Sequence, residues 1–241
     1  MRAVILAGGR GTRLRPYTSV LPKPLVPVGD LPIMEIIIRQ LAAAGISPIT
    51  LTLGYLGELI RAFFASRKSL TSLVEIDFVQ EERPTGTAAS LKLVPGLTET
   101  FLVMNGDVLT SLDYNRLIDF HRDSGAVLTI AGYTKRVDVD MGVLQLDPGR
   151  TRVLGYSEKP HFIYPVSMGV YVYEPAALGY IPADDYFDFP SLVHRLLAAG
   201  EPVACQMHDG IWLDLGRPED LARAQEVFLE SYSELGFSEP P

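Results

Sequence analysis

The apolar run Ala3-Val4-Ile5-Leu6-Ala7 ends abruptly in Gly8-Gly9-Arg10-Gly11. That junction constrains the fold more than any other stretch of the chain. The run reads as a buried first strand. Glycines at its end let backbone N–H groups approach a ligand closely. Arg13 and Lys23 add permanent positive charge, and Lys23 is held between Pro22 and Pro24, which restrict the backbone on both sides. Oriented amides with nearby cations suit a triphosphate. Two familiar phosphate motifs are excluded. The third glycine of a dinucleotide fingerprint is replaced by Leu14, and Gly11-Thr12-Arg13 is not the Gly-Lys-Ser/Thr of a P-loop.

The first half alternates strand and helix. Strand patterns fall at about 2–6, 49–53, 73–79 and 101–105, with helical patterns at about 32–44, 56–67 and 86–93. Such alternation implies crossover connections and a mostly parallel sheet. The segment Phe101-Leu102-Val103-Met104-Asn105 is apolar nearly throughout, as a central parallel strand should be. Gly106-Asp107 follows at its carboxyl end, where ligands bind in open α/β sheets. The glycine loop and Asp107 are therefore expected in one cleft. The second half is richer in strand, at about 126–132, 142–146, 152–157, 167–173, 202–206 and 211–213, with helices at about 113–123, 188–199 and 218–231. No linker divides the chain. A single domain over 1–231 is expected, with two halves that meet at about 110–111, and a tail at 232–241. The segment from Phe237 onward reads as frayed.

The 241 residues carry a net charge of −8, which argues against a nucleic-acid or anionic-membrane surface. The lone Cys205 permits no internal disulfide and, in the apolar stretch Pro202-Val203-Ala204-Cys205, is expected to be buried. The four histidines lack zinc-ligand spacing. No 18-residue apolar run is present, and the first strand leaves no room for a signal peptide, so a cytoplasmic location is expected.

The motifs together carry more than any one alone. Gly8-Gly9-Arg10-Gly11-Thr12-Arg13-Leu14, Leu21-Pro22-Lys23-Pro24-Leu25, Glu81 to Ala88, Asn105-Gly106-Asp107, Glu158-Lys159-Pro160, Ser167-Met168-Gly169 and Trp212 to Asp220 resemble, in that order, the signature of the sugar-1-phosphate nucleotidyltransferases. The resemblance spans about residues 1–225. It implies a Rossmann-like three-layer α/β fold with a mixed, mostly parallel central sheet. It also implies the reaction of a nucleoside triphosphate with a sugar 1-phosphate to give NDP-sugar and pyrophosphate, with Mg²⁺. Many relatives continue into a hexapeptide β-helix. No such array is visible here, so neither an attached acyltransferase nor a β-helix trimer is expected, and a homodimer is left open.

The resemblance assigns roles by position. Leu6, Ala7, Gly8, Gly9, Gly11, Thr12, Arg13, Lys23, Glu81, Gly86 and Thr87 would bind nucleotide. Arg13 would hold the β- and γ-phosphates and Lys23 the α-phosphate. Asp107 and Asp214, each just past a short apolar strand, would bind Mg²⁺, and Arg13, Lys23 and Asp107 would carry catalysis by electrostatic stabilisation. Gly142, Glu158, Lys159, Ser167 and Gly169 would bind the sugar phosphate. Ser167 stands where many relatives have Asn, which leaves the hexose open. Glu81 stands where thymidylyltransferases have Gln. A carboxylate only accepts hydrogen bonds, and guanine offers N1–H beside an exocyclic amine, so Glu81 favours GTP over UTP, dTTP or CTP; Gly86-Thr87-Ala88 and Trp212 to Asp220 most resemble the mannose-1-phosphate guanylyltransferases, which implies mannose 1-phosphate as the second substrate. The neighbouring Gln80 is the other candidate for reading the base. Trp212 is read as a core anchor. The competing readings are a catalytically silent NDP-sugar sensor, which would be expected to lose the cations or aspartates kept here, and a glycosyltransferase, whose metal-binding Asp-x-Asp window reads Asn105-Gly106-Asp107 here and which would have no use for the Arg13 and Lys23 loop.

Overall fold

In the computed structural model, residues 1–183 and 185–237 are described; of the end expected to fray from Phe237 onward, residues 238–241 lie outside them. Thirteen strands and six α-helices are present among these residues. The strands are β1 (Arg2–Ala7), β2 (Pro27–Val28), β3 (Leu31–Pro32), β4 (Ile49–Leu53), β5 (Ile76–Gln80), β6 (Phe101–Asn105), β7 (Val108–Thr110), β8 (Leu128–Asp138), β9 (Val143–Leu146), β10 (Val153–Ser157), β11 (His161–Tyr173), β12 (Val203–His208) and β13 (Trp212–Asp214). The helices are α1 (Ile33–Ala43), α2 (Gly57–Ser66), α3 (Lys68–Thr71), α4 (Tyr114–Ser124), α5 (Phe189–Ala198) and α6 (Pro218–Glu230).

The central sheet has seven strands in the order β12-β8-β11-β6-β1-β4-β5. It is parallel except where β11 runs against both β8 and β6, so the sheet is mixed and mostly parallel. The chain leaves β1 for β4 and β5 on one side, then returns to β6 on the other. The carboxyl ends of β1 and β6 thus flank a topological switch point, where open sheets bind ligands.

Helices cover both faces. Ala3, Ile5, Ala7, Leu102 and Met104 point into one core with α1, α4 and α6. Val4, Phe101, Val103, Tyr171 and Tyr173 point into the other, under α5 and the 3-10 turn Ala89–Leu93. This alternation is the period-2 consequence of strand geometry. Each fully buried Ile or Leu contributes roughly 1.5–3 kcal/mol relative to exposure.

Three expectations need correction. The helix expected at 86–93 is only the 3-10 turn Ala89–Leu93. Gly86 has φ +94°, and the N–H groups of Ala88 and Ala89 both donate to Phe187 O, at 3.1 and 3.0 Å, rather than starting an α-helix. Cys205 is exposed, because β12 is an edge strand of the sheet. The segment 232–237 is not a free tail: Leu235 is 1% exposed, and Phe237 packs its ring on Phe228 and Tyr232. The antiparallel strands are also longer than expected. The ends of β8 and β11 pair from His161↔Asp138 to Val166↔Tyr133 and project as a largely exposed ribbon, beside the β9–β10 hairpin.

Candidate active site

The end of β1 is locked to its neighbours by main chain. Gly106 N donates to Leu6 O at 3.0 Å, tying the turn after β6 to β1. On the other side, Gly8 and Gly54 cross so closely that a Cβ on Gly54 would fall 2.5 Å from Gly8 O. Gly11 adopts φ +57°, a region glycine enters without penalty. Thr18 Oγ1 donates to Gly11 O at 2.7 Å, closing the loop over Lys23, whose Cβ lies 3.1 Å from where a Gly11 side chain would start.

Lys23 is the electrostatic centre. Its ammonium is hydrogen-bonded to Asp107 Oδ2 and lies 3.9 Å from Asp214 Oδ1. Asp107 and Asp214 are distant in sequence and adjacent in space, because β13 pairs with β7 to set Asp214 opposite Val108. Leu215 N also donates to Asp107 O at 3.0 Å. Burial pushes the Asp214 carboxyl above its usual range, and the charge of Asp107 adds to that rise; Lys23 and Arg13 oppose it. Arg13 reaches this group: its guanidinium lies 3.1 Å from where a Gly216 Cβ would sit.

Two cavities meet here. The first, about 330 Å³, is lined by Leu6, Ala7, Gly8, Gly9, Lys23, Glu81, Gly86 and Thr87 of the expected nucleotide residues, and by Asp107, expected as a metal and catalytic residue. Glu81 is held at its wall. Its Oε2 accepts from Thr85 Oγ1 at 2.9 Å and more weakly from Thr85 N at 3.4 Å, while Oε1 faces Gly8. The second cavity, about 470 Å³, is lined by Ser167, Gly169 and Asp214. Thr87 and Asn105 line both cavities, so they mark the seam. The wall of the second cavity includes Tyr171 stacked on Phe189, with ring centroids 3.9 Å apart. Ser167 Oγ donates to the Tyr171 hydroxyl at 3.2 Å, whose pKa burial pushes up to about 12. Trp212, read from sequence as a core anchor, lines this cavity and donates from Nε1 to Met168 O at 2.9 Å.

The remaining expected residues sit elsewhere. Gly11, Thr12 and Arg13 flank the first cavity without lining it. Gly142, Glu158 and Lys159 belong to the exposed hairpin region and line neither cavity. There the Tyr156 hydroxyl covers Gly142 and donates to Glu158 Oε2 at 2.5 Å. Sequence reasoning missed Ser90 and Tyr186 in the first cavity, and Phe189 and His194 in the second. Asn105 had a usable signal, as the polar residue ending an apolar strand; Tyr186 and His194 had none.

Among the described residues no group of three or more His, Cys, Asp or Glu could hold a metal ion. Two carboxylates facing one cation nevertheless fit Mg²⁺, which is usually held by one or two carboxylates and completes its shell with water and substrate phosphates. The hard oxygen donors of Asp107 and Asp214, drawn to the same ammonium, meet that requirement.

A glycine loop at a switch point, a lysine set between two carboxylates and a second cavity across the seam mark the candidate ligand site of an open α/β sheet. The chain belongs to the Nucleotidyl transferase family, which matches residues 2–231, and to the sugar-1-phosphate nucleotidyltransferases that its motifs resemble. It is 31% identical to a UTP–glucose-1-phosphate uridylyltransferase of Synechocystis, over 93% of this chain and 62% of that protein. It is 34% identical to the mannose-1-phosphate guanylyltransferase of Mycobacterium tuberculosis, over 92% of this chain and 62% of that one. The chain thus spans under two thirds of the length of these relatives. Among solved structures it is similar to HddC from Yersinia pseudotuberculosis, at 28% identity and a TM-score of 0.72, covering 94% of this chain and 99% of that one. HddC has also been solved in complex with GMP-PN, with a TM-score of 0.71 to this chain. Among the described residues no helix is long and apolar enough to cross a membrane.

Proposed function

We propose that this chain transfers a nucleotidyl group from a nucleoside triphosphate to a sugar 1-phosphate and releases pyrophosphate, with GTP and mannose 1-phosphate as the favoured pair. The observation that carries this reading is the seam. Lys23, Asp107 and Asp214 converge where a cavity fit for a nucleotide meets a second one fit for a sugar phosphate.

The chain's own residues divide the work. The Gly8–Gly11 main chain and Arg13 hold the β- and γ-phosphates and stabilise the departing pyrophosphate. Lys23 exchanges Asp107 for the α-phosphate, where charge builds during in-line attack. A sugar-phosphate oxygen forms the new bond to the α-phosphorus as its bond to the pyrophosphate oxygen breaks. The sugar phosphate is ionised near neutral pH, so no side chain need remove a proton. Mg²⁺ held by Asp107 and Asp214 would neutralise phosphate charge. Ser167 and Gly169 border the sugar, and Lys159 and Glu158, which line neither cavity, would meet its phosphate and hydroxyls once the exposed hairpin swings toward the seam.

Guanine is favoured because Glu81 presents carboxylate oxygens at the cavity wall, which suit the adjacent N–H donors of that base. The name of the mycobacterial relative and the GMP-PN complex of HddC support it. The Synechocystis relative's name supports the competing pair, UTP with glucose 1-phosphate. Pyrophosphate release across GTP, UTP, CTP, ATP and dTTP against several sugar 1-phosphates, with Mg²⁺ and with EDTA, tests the reading. Mg²⁺-dependent release that is largest for GTP with mannose 1-phosphate is expected. Release confined to other pairs would replace the substrates. Silence with tight NDP-sugar binding would replace the enzyme with a sensor.

A further inference from the structure

The first cavity has a lining residue, Tyr186, that no motif announced. Tyr186 lines it, together with Pro84 and Gly86, and is 68% exposed. Its place on the rim is fixed by its neighbours. Phe187 N donates to Thr85 O at 2.8 Å, and Phe187 O accepts from Ala88 and Ala89. Phe189 N donates to Thr87 Oγ1 at 2.8 Å. Gly86 packs so tightly on this strand of backbone that a Cβ there would lie 2.5 Å from Phe187 O. The backbone after Tyr186 is therefore stapled to the segment that follows Glu81. The Phe187 ring turns inward, 9% exposed and under the Arg195 guanidinium at 4.6 Å. The Tyr186 ring is left outward on a pinned backbone.

Other tyrosines of the chain are nearly as exposed, but Tyr186 lines a cavity, where its ring face is offered to a flat partner. The partner must also lie within reach of Glu81, which lines the same cavity. A purine base satisfies both conditions: its edge has donors for a carboxylate, and its face stacks on an aromatic ring.

We propose that Tyr186 is a nucleobase platform. The base stacks on its ring while Glu81 accepts from the base edge, so face and edge are read by two segments that Gly86 and Phe187 tie together. The proposal rests on the nucleotide reading of the first cavity.

The test is calorimetric binding of GTP and of tripolyphosphate, which has no base, to the full-length protein and to Tyr186→Ala and Tyr186→Phe, each checked by thermal melt. Tyr186→Ala is expected to weaken GTP about tenfold, a typical effect of removing one aromatic from a base stack. Tyr186→Phe should stay within about twofold, since the ring is kept. Tripolyphosphate should bind all three proteins alike. In turnover, Tyr186→Ala should raise the KM for the nucleotide and leave kcat nearly unchanged. GTP binding by Tyr186→Ala equal to that of the parent overturns the platform. So does a parallel loss of GTP and tripolyphosphate, which would mean the loop itself had shifted. A parent protein that binds no nucleoside triphosphate overturns the nucleotide reading as well, and this outcome is distinct because the parent itself fails.

Discussion

The two cavities are built from different materials. The first is framed by main chain: the Gly8–Gly54 crossing, the Gly106–Leu6 hydrogen bond and the left-handed turn at Gly11. The second is framed by side chains, with stacked Tyr171 and Phe189, the Ser167 hydroxyl and the Trp212 indole. Beyond it projects the ribbon of β8 and β11, with Phe162, Ile163 and Tyr164 exposed. Phosphates are the invariant part of any nucleoside triphosphate, and a rigid amide loop recognises them without side chains. Sugars vary, and side chains on a second wall change by substitution without disturbing the sheet. On the proposed function, the molecule separates a fixed phosphate reader from an adjustable sugar reader, and joins them at Lys23, Asp107 and Asp214.

The joint should show the largest effect. Asp107→Ala is expected to lower kcat on the order of 10³-fold, equivalent to ~4 kcal/mol of transition-state stabilisation, with the thermal melt preserved. Because Asp107 lies at the seam, KM for both substrates should move far less than kcat. Near-normal pyrophosphate release by this variant in saturating Mg²⁺ would remove Asp107 from the chemistry.

A matched pair of glycine variants tests rigidity directly. In Gly54→Ala the new methyl meets Gly8 O and Cα at 2.5 and 2.9 Å, and both are backbone at the end of the central strand. Overpacking of that kind costs about 3 kcal/mol, or a fall in Tm of roughly 6–12 °C for a chain of this size. In Gly142→Ala the methyl meets the Tyr156 hydroxyl end of a 62% exposed side chain, which can swing away. Stability should change by less than about 0.5 kcal/mol. KM for the sugar phosphate should rise, because Tyr156 would lose Glu158. Equal melting temperatures for the two variants would erase the contrast between the regions.

What was legible in the sequence follows the same division. The β1 run and its glycines, the parallel strands and Asp107 are signalled by residues close together in the chain, so periodicity and a local motif suffice. Helices α1, α2, α4, α5 and α6 fall within about a residue or two of their expected bounds, as amphipathic patterns allow. The failures lie where distant segments decide. Gly86-Thr87-Ala88 reads as a helix start until Phe187 O takes its N–H groups. The full lengths of β8 and β11 were hidden because their paired ends are exposed on both faces and show no apolar alternation. Tyr186 has no local signature because its meaning depends on a cavity whose other walls all lie between Leu6 and Asp107, far earlier in the chain. Asp214 was legible only through its motif, since its partner Asp107 is brought to it by the β7–β13 pairing.

Glu81 sharpens the comparison, as the one charged side chain that the first cavity adds to Lys23 and Asp107. Glu81→Gln replaces an acceptor-only group with a mixed donor and acceptor, and should shift the ratio of kcat/KM for GTP over UTP downward by roughly 10–100-fold. The Thr85 hydroxyl can still donate to the amide oxygen, so the wall keeps its shape. A ratio that does not move would transfer base reading to Gln80, whose Nε2 sits 3.4 Å from both Gly54 O and Glu81 O.

The smallest expected effect concerns the stability of the joint. Burial, then Asp107, raise the Asp214 carboxyl above its usual range, so its charged form is disfavoured in the folded state. A carboxyl whose folded pKa lies above its unfolded one favours folding below the unfolded pKa, and that contribution is lost as pH rises through the folded pKa. Asp214→Asn keeps the shape and removes the charge, so the variant should melt higher than the parent near pH 7. The difference should shrink as pH falls through the raised pKa of Asp214 and vanish below the ordinary carboxylate range. Asp214 is 48% exposed and Lys23 lies 3.9 Å away, so solvent and counter-charge keep the gain under about 1 kcal/mol, or less than about 4 °C. The same variant should bind Mn²⁺ more weakly in the presence of GTP. A joint tuned for chemistry is expected to show this opposition of stability and function. A lower Tm for Asp214→Asn at pH 7 would instead make the carboxylate a structural partner of Lys23, and the seam between the cavities would then be an ion pair holding the fold together.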